Sequence, residues 1–339
     1  MRFSTDRPSP RLQAYFERTL LDHPWADPDI PSLVYQTSDG TIMGFVGSHV
    51  RRLRFDGKTI RVGYSGQLVS DPAVRGRGAG ALLLRSYMAG PQDATITDGA
   101  TADVQRMWER LGGTAALLPS LSWTRLFRPS RFAVGLYLER AGQSRWKPAT
   151  RPFSALVDGL ATRSLRPKEP STWSEDLTPG ALLEHLPMIT DYLRIRPDYD
   201  ETFLVWLLAE MGRLTSRGRF SARLVHDRNG RVLGWYVAYF QPGGVGQTIQ
   251  IAARPRDIDE VLDHLLYQAW RAGVTVLRGR LEPILFEPVW DRHCFIRHSE
   301  RVLVHSNDAT LVSAISVGDS MLTRMEGEWW MGHHLDPLP

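Results

Sequence analysis

A repeated hairpin constrains the fold of this chain more than any other feature of its sequence. The stretch DGTIMGFVGSHV at residues 39–50 matches NGRVLGWYVAYF at residues 229–240, with an offset of 190. Each stretch opens on an Asp-Gly or Asn-Gly dipeptide, and such a dipeptide between apolar runs is a strong signal of a β-hairpin. Two copies of one supersecondary unit predict two domains of the same architecture.

The match continues beyond the hairpin at an offset of 183. Pro72 and Gly90 of the first copy correspond to Pro255 and Gly273 of the second, so both copies keep 18 residues from the proline to the glycine that ends the next helix. Over residues 94–111 the first copy adds a short strand and a helix, which gives the order β-β-β-α-β-α. A tandem duplication accounts for the shared order and spacing.

Length and composition agree with two domains. The chain has 339 residues, of which 42% are hydrophobic and 23% charged, and roughly 150 residues make one domain of an ordinary globular protein. Residues 166–180 are rich in proline and polar residues and indicate a linker. We predict an N-terminal domain at 1–127, a connecting segment at 128–175 and a C-terminal domain at 176–339.

Charge and cysteine content narrow the partners and the compartment. The formal net charge of +4 favours anionic small molecules, but the basic residues are too scattered to indicate nucleic acid as a partner. Cys294 is the single cysteine, which is typical of a reducing compartment. No signal-peptide core and no run of about 18 apolar residues occurs. We therefore expect a cytoplasmic protein without a membrane span.

Three alternating glycines stand directly before an apolar helix in the stretch SDPAVRGRGAGALLL, residues 70–84. The first N–H groups of a helix are unpaired and lie at the positive end of its dipole, so they bind phosphate when no side chain blocks them. Gly76, Gly78 and Gly80 remove those side chains, and the neighbouring arginines add positive charge. We predict a phosphate-binding loop.

The second copy differs at the equivalent positions. Asp259, Val261 and Asp263 replace the three glycines, and carboxylates there repel a phosphate. Only the first copy is therefore predicted to hold one.

Two common phosphate loops do not fit. A Walker loop ends in Gly-Lys-Ser/Thr, and a dinucleotide loop reads G-x-G-x-x-G within a βαβ unit. The stretch RGRGAG at residues 75–80 instead resembles the Gln/Arg-x-x-Gly-x-Gly/Ala acetyl-coenzyme A loop of the GNAT acyltransferase superfamily. The preceding QLVSDP at 67–72 resembles that family's strand into the loop, and MWERLG at 107–112 resembles a helix end of the family.

The resemblance implies an α+β fold of two GNAT-like domains, each a mixed, mostly antiparallel sheet flanked by helices. It implies acetyl-CoA, or another acyl-CoA, as co-substrate, with no metal. Loop amides would hold the CoA pyrophosphate, and strand backbone groups would pair with the pantetheine arm. The residues expected to bind the acyl-CoA are Leu68, Val69, Ser70, Arg75, Gly76, Arg77, Gly78, Ala79 and Gly80.

The catalytic residues are less clearly marked. Trp108 stands where the family often has a tyrosine that protonates the departing thiolate, and an indole N–H is no acid at neutral pH. Asp98 is the candidate general base, expected at the mouth of the cleft, although an Asp-Gly turn or a helix cap also fits. Tyr64 is a second candidate near the acceptor, and it also fits a plain strand aromatic.

Two further groups carry no specific chemistry. His293, Cys294 and His298 lack the four-ligand spacing of a zinc site. The C-terminal stretch GDSMLTRMEGEWW, residues 318–330, has no mechanism attached to it.

The predicted function is acyl-CoA-dependent N-acyl transfer, most simply N-acetyl transfer, to an amine of a small metabolite or cell-envelope precursor by direct attack on the thioester. The second copy, degenerate at its loop, is expected to recognise the acceptor or to act as a scaffold. Two alternatives stay open. Because Trp108 replaces the tyrosine that the family often has, a non-catalytic acyl-CoA sensor stays an alternative function. A Fem-type aminoacyltransferase is the other alternative, and the intact CoA loop disfavours it.

Overall fold

The structure is a computed structural model that describes residues 10–74, 78–140, 165–298 and 300–331. These residues form two compact units. Unit 1 draws on 1–121, 190–213 and 298–339, and unit 2 draws on 122–189 and 214–297.

The strands and helices are numbered in chain order. The strands are β1 (Leu33–Gln36), β2 (Ile42–Phe55), β3 (Lys58–Ser70), β4 (Ala94–Thr97), β5 (Thr114–Ala116), β6 (Leu121–Leu126), β7 (Trp173–Asp176), β8 (Ile195–Pro197), β9 (Arg219–His226), β10 (Val232–Phe240), β11 (Val245–Ala253), β12 (Val276–Arg280), β13 (Phe295–His298) and β14 (Val302–His305). The α-helices are α1 (Pro10–Phe16), α2 (Ala79–Met88), α3 (Ala102–Arg110), α4 (Pro129–Arg140), α5 (Pro179–Ile189), α6 (Glu201–Arg213), α7 (Ile258–Arg271), α8 (Phe286–Asp291) and α9 (Ala309–Val317).

Each unit contains one mixed sheet. In unit 1 the strand order is β1-β2-β3-β4-β14-β5, with β8 paired to β2. Strands β3 and β4 are parallel, whereas β1, β2 and β3 pair antiparallel. In unit 2 the order is β13-β6-β12-β11-β10-β9-β7, with β11 and β12 parallel and β9, β10 and β11 antiparallel. The predicted α+β class with mixed, mostly antiparallel sheets is confirmed.

Each sheet also contains a strand from the other half of the chain. Strand β6 follows β5 in sequence but pairs with β12 in unit 2. Strand β14, near the end of the chain, lies between β4 and β5 in unit 1. The compact units are therefore not continuous segments, because strand pairing joins elements that no local pattern connects. The division of the chain into domains at 1–127 and 176–339, each with its own role, stays a prediction.

The central strand pairs of the two units share a register. Gly44 pairs with Ser70 in unit 1, and Gly234 pairs with Ala253 in unit 2. These positions are related by the offsets of 190 and 183 found in the sequence. In each pair the register then shifts by one residue, as at a β-bulge, which bends the strand that carries the extra residue.

Helix α2 packs against apolar side chains on two of its faces, and this packing sets its position beside the sheet. Leu83 and Tyr87, four residues apart, pack with Val46 and Val50 of β2. Leu84 and Met88, on the adjoining face, pack with Trp108 and Leu303. Full burial of one such leucine stabilises the fold by about 1.5–3 kcal/mol. None of the helices in the described ranges has the length and apolar character that a bilayer-spanning helix needs.

Candidate active site

Strands β3 and β4 separate in the region where the sequence predicts the acyl-CoA site. They pair only from Val62 to Tyr64 of β3, whereas β2 stays paired with β3 as far as Ser70. On the side away from β2, no described strand pairs with residues 65–70, and we call this opening the β3–β4 wedge. Free strand-edge N–H and C=O groups can pair with a ligand that runs along the strand.

Gln67 lies at the bulge in the wall of the wedge. Its φ of 51° is in the left-handed region, which residues other than glycine seldom adopt. Its side-chain Oε1 is buried without a hydrogen-bond partner among the described residues. Backbone outliers and unsatisfied buried groups of this kind cluster at functional sites.

The three strand residues expected to face the pantetheine follow the bulge. Leu68, Val69 and Ser70 are all half-buried. The Leu68 side chain packs against both apolar clusters that hold α2. This packing fixes the direction of the backbone on the free edge of the wedge.

Helix α2 begins without a side chain at its N-terminus. Gly78 is the N-cap with a φ of 86°, and within the described part of the chain the helix has no side-chain cap hydrogen bond. A Cβ on Gly78 would meet no atom within 4 Å. Ala79 is buried and Gly80 is half-buried, while Arg75, Gly76 and Arg77 lie outside the described residues. The described part of the predicted loop offers open amides at the positive end of a helix dipole.

Asp98 is fully buried and holds the C-terminal segment. Its Oδ1 accepts hydrogen bonds from the backbone N–H of Glu328 at 3.1 Å and of Trp329 at 3.0 Å. In return, Oε1 of Glu328 accepts from the Thr97 hydroxyl at 2.6 Å and from the Asp98 N–H at 3.1 Å. Asp98 is therefore not at an open cleft mouth as expected, because residues 327–329 pack against it.

Asp98 and Glu328 form a buried carboxyl pair at the closed end of the wedge. Burial raises the pKa of Glu328 well above its usual value, and the Asp98 carboxylate raises it further. The Glu328 Cβ lies 3.4 Å from the place that a Cβ on Gly66 of β3 would take. At position 327 only glycine fits, since a Cβ there would overlap Oδ2 of Asp98. Glu328 therefore lies between β3 and the end of β4, in surroundings that favour its protonated form.

Arg51 supplies a buried positive charge beside this pair. It is 1% exposed, and its Nε donates to the Glu326 carbonyl at 2.8 Å. Burial lowers the pKa of Arg51. Electrostatic interactions raise it again in part, and they come from Tyr64, Tyr199, Glu326 and Glu328. Burial also raises the pKa of Glu326, although hydrogen bonds from Thr323 and Tyr199 act in the opposite direction.

Tyr64 and Trp108 are placed in the core. Tyr64 is 2% exposed within an apolar cluster, at the last residue pair before the wedge opens. Trp108 is 0% exposed, its Nε1 has no hydrogen-bond partner among the described residues, and its ring packs so closely on Gly113 that a Cβ there would overlap it. Trp108, at the position where the GNAT resemblance leads one to expect a tyrosine, thus packs into the core.

Sequence reasoning missed Glu326, Glu328 and the burial of Arg51. The available signal was a pair of acidic residues within the apolar run MEGEWWM, because acidic residues are seldom buried without a partner. Cys294 is buried, which raises the pKa of its thiol to about 12. Across the described ranges, no group of three or more His, Cys, Asp or Glu side chains could hold a metal ion.

Solved structures with a similar fold include acyltransferases. A conserved protein of Enterococcus faecalis V583, described as a probable N-acyltransferase, matches 88% of this chain with a TM-score of 0.56 at 11% identity. A GCN5-related N-acetyltransferase from Anabaena variabilis matches 87% with a TM-score of 0.53 at 11% identity. Saccharomyces cerevisiae N-myristoyltransferase with bound myristoyl-CoA matches 85% with a TM-score of 0.53 at 8% identity.

These matches define the fold of the chain. The matched part covers 66% of each bacterial protein, slightly less than two thirds, and 72% of the yeast enzyme. No protein-family model matches the sequence, and no curated protein matches it. The fold is that of GNAT N-acetyltransferases and N-myristoyltransferases.

Proposed function

We propose that this chain is an acyl-CoA-dependent N-acyltransferase in which unit 1 binds the acyl donor. The observation that carries the proposal is the β3–β4 wedge, followed in sequence by the open start of α2 at Gly78. A fold neighbour with bound myristoyl-CoA supports an acyl-CoA donor, and acetyl-CoA is the simplest. In the proposal, the amides of residues 75–80 hold the pyrophosphate, and Leu68, Val69 and Ser70 pair with the pantetheine.

The carboxyl pair supplies the proton transfers of the proposed reaction. The acceptor amine attacks the thioester carbonyl carbon, and the C–S bond breaks. Because Asp98 is buried beneath Glu328, the proton that leaves the amine reaches it in the proposal through the Glu328 carboxyl, which passes its own proton to Asp98 and takes up that of the amine. Glu328 then gives a proton to the departing thiolate, a role that Trp108 does not fill. A proton passing from Asp98 to Glu328 restores the pair. A backbone N–H at Leu68 or Val69 would stabilise the oxyanion, and Tyr64 stays a second catalytic candidate.

The acceptor in the proposal is an amine of a small metabolite or cell-envelope precursor, and the reaction is placed in the cytoplasm. A tandem duplication is supported by the shared register of the two central strand pairs. A degenerate second copy is supported by the acidic first turn of α7, which contains Asp259 and Glu260.

Turnover assays test the proposal directly. The purified chain is incubated with acetyl-CoA or myristoyl-CoA and a panel of amines, and release of free CoA thiol is measured. A transferase releases thiol in an amine-dependent manner. Saturable binding of acyl-CoA without thiol release would instead establish the sensor. A parallel incubation supplies an aminoacyl-tRNA as donor, and transfer from that donor alone would establish the Fem-type reaction.

A further inference from the structure

Unit 2 contains a polar cavity that the proposed reaction does not use. Its volume is about 700 Å³, and it is lined by residues of β7, β9, β10 and α7. The charged and aromatic residues on which the argument depends are Arg219, Arg223, Arg271, Tyr236, His264 and Tyr267.

His264 gives the cavity an uncharged polar wall. Its Nδ1 lies 2.8 Å from the Thr172 hydroxyl, and its Nε2 lies 3.0 Å from the Ser174 hydroxyl. Burial, assisted by the charge of Arg223, lowers the pKa of His264 to about 4. The imidazole is therefore neutral at physiological pH, with hydroxyl groups at both ring nitrogens.

The two carboxylates of the cavity are already engaged. Asp176 forms an ion pair with Arg223, which also donates to the Ser174 carbonyl at 2.6 Å. A hydrogen bond with Glu169 contributes, after burial, to the raised pKa of Tyr267. These contacts orient Arg223, pair Asp176 with it, and direct the Glu169 carboxylate towards Tyr267.

Arg219 and Arg271 are the remaining cations. Both are exposed, and neither takes part in an ion pair within the described ranges. Tyr236, at 1% exposure, keeps its phenolic proton because burial raises its pKa, and its hydroxyl hydrogen-bonds the side chain of Ser221, which also lines the cavity. Two guanidinium groups without an ion pair among the described residues, next to a phenol and the neutral His264, match the hydrogen-bonding needs of a phosphate or carboxylate.

We propose that this cavity binds a small organic anion through Arg219, Arg271 and the Tyr236 hydroxyl. The ligand carries a phosphate or a carboxylate, and its polar body faces the hydroxyl groups of Thr172 and Ser174. Trp173, stacked on His226 with ring centroids 4.1 Å apart, also lines the cavity and offers a flat apolar face. The site lies within unit 2 and does not depend on acyl transfer in unit 1.

Calorimetry with phenyl phosphate and with benzoate tests the site on the full chain. The titrations use the Gly78→Glu variant, so that the predicted anion site of unit 1 does not contribute. We expect saturable binding of at least one probe, weakened about tenfold or more by Arg219→Ala or Arg271→Ala, because each change removes a charge-assisted hydrogen bond. Tyr236→Phe should weaken binding less, as it removes one neutral donor.

Arg228→Ala is the matched control, since Arg228 is an exposed arginine of the same unit that does not line the cavity. Its affinity for the probes should equal that of the parent. Equal weakening by Arg228→Ala and Arg219→Ala would show a general charge effect and overturn the proposal, as would no saturable binding of either probe. These outcomes are independent of thiol release, so failure of the transferase proposal leaves the test intact.

Discussion

The helices that follow the two central strand pairs begin in opposite ways. Helix α2 starts at Gly78 with no acidic residue in its first turn and no side-chain cap. Helix α7, at the equivalent place in unit 2, carries Asp259 and Glu260 in its first turn. The backbone provides the same positive dipole end in both, but of these two first turns only that of α7 carries carboxylates.

Arg292 reinforces the difference in unit 2. It contacts Asp259 at 2.7 Å and Asp263 at 2.6 Å, at two of the positions where the first copy has glycine. The parallel strands also end differently. By the shared register of the parallel pairs, Asp98 at the end of β4 corresponds to the buried Arg280 of β12. Corresponding backbone positions in the two units thus carry side chains of different charge, and the chemistry of a site depends on such side chains rather than on the fold.

The largest expected effect comes from closing the open end of α2. Gly78→Glu places a carboxylate at the helix start and should weaken CoA binding by about 100-fold or more, since it repels the pyrophosphate and blocks its amides. Gly57→Glu is the matched control, because Gly57 has a similar φ of 82° and no atom within 4 Å of an added Cβ. Calorimetry giving the same Kd for both variants would refute the loop assignment.

Asp98→Asn tests whether the end of β4 has a chemical role that its counterpart Arg280 lacks. The amide oxygen can still accept from the backbone of Glu328 and Trp329, so the fold should be retained. Loss of a general base lowers kcat by about 100-fold or more, with the Kd for acyl-CoA unchanged. A kcat equal to that of the parent would show that Asp98 is only an anchor for the C-terminal segment.

Glu328 predicts a pH dependence of stability. Its pKa in the folded state is raised well above the ordinary 4.5, so as pH rises above 4.5 the unfolded chain loses this proton before the native one does. The free energy of unfolding should therefore fall as pH rises through this window, by up to about 1.4 kcal/mol per pH unit.

Glu328→Gln, which mimics the protonated acid, should reduce that slope and leave the part due to Glu326, whose pKa is also raised. Urea unfolding at about pH 5 and about pH 8 measures the difference. Glu184→Gln, at an exposed position of α5, is the control and should leave the slope as in the parent. A parent-like slope in Glu328→Gln would place the titration elsewhere.

The smallest effect is expected from Asp259→Gly. Removing one partly exposed partner of Arg292 should change the free energy of unfolding by less than about 1 kcal/mol. Asp263 and Glu260 stay beside the start of α7, so the stoichiometry of CoA binding should not rise. Two equivalents of CoA per chain would show that the acidic first turn alone separates the two copies.

Local patterns in the sequence determined the parts of this protein that form between near neighbours. The turn at Gly40, the apolar helix that follows the glycines, and the glycine loop each depend on a few consecutive residues. Turn chemistry and side-chain periodicity act over that range, so the structure confirms the first two where they were predicted.

Only the tertiary structure decided the exchange of β6 and β14, the contact of Asp98 with Glu328 and the cavity of unit 2. Asp98 and Glu328 are 230 residues apart in sequence, and they meet because residues 318–331 lie over the end of β4. Such contacts follow from the order of strands in a sheet and from the burial of a whole segment. Neither leaves a periodic signal in the chain, which is why the second carboxylate was found only in the folded protein.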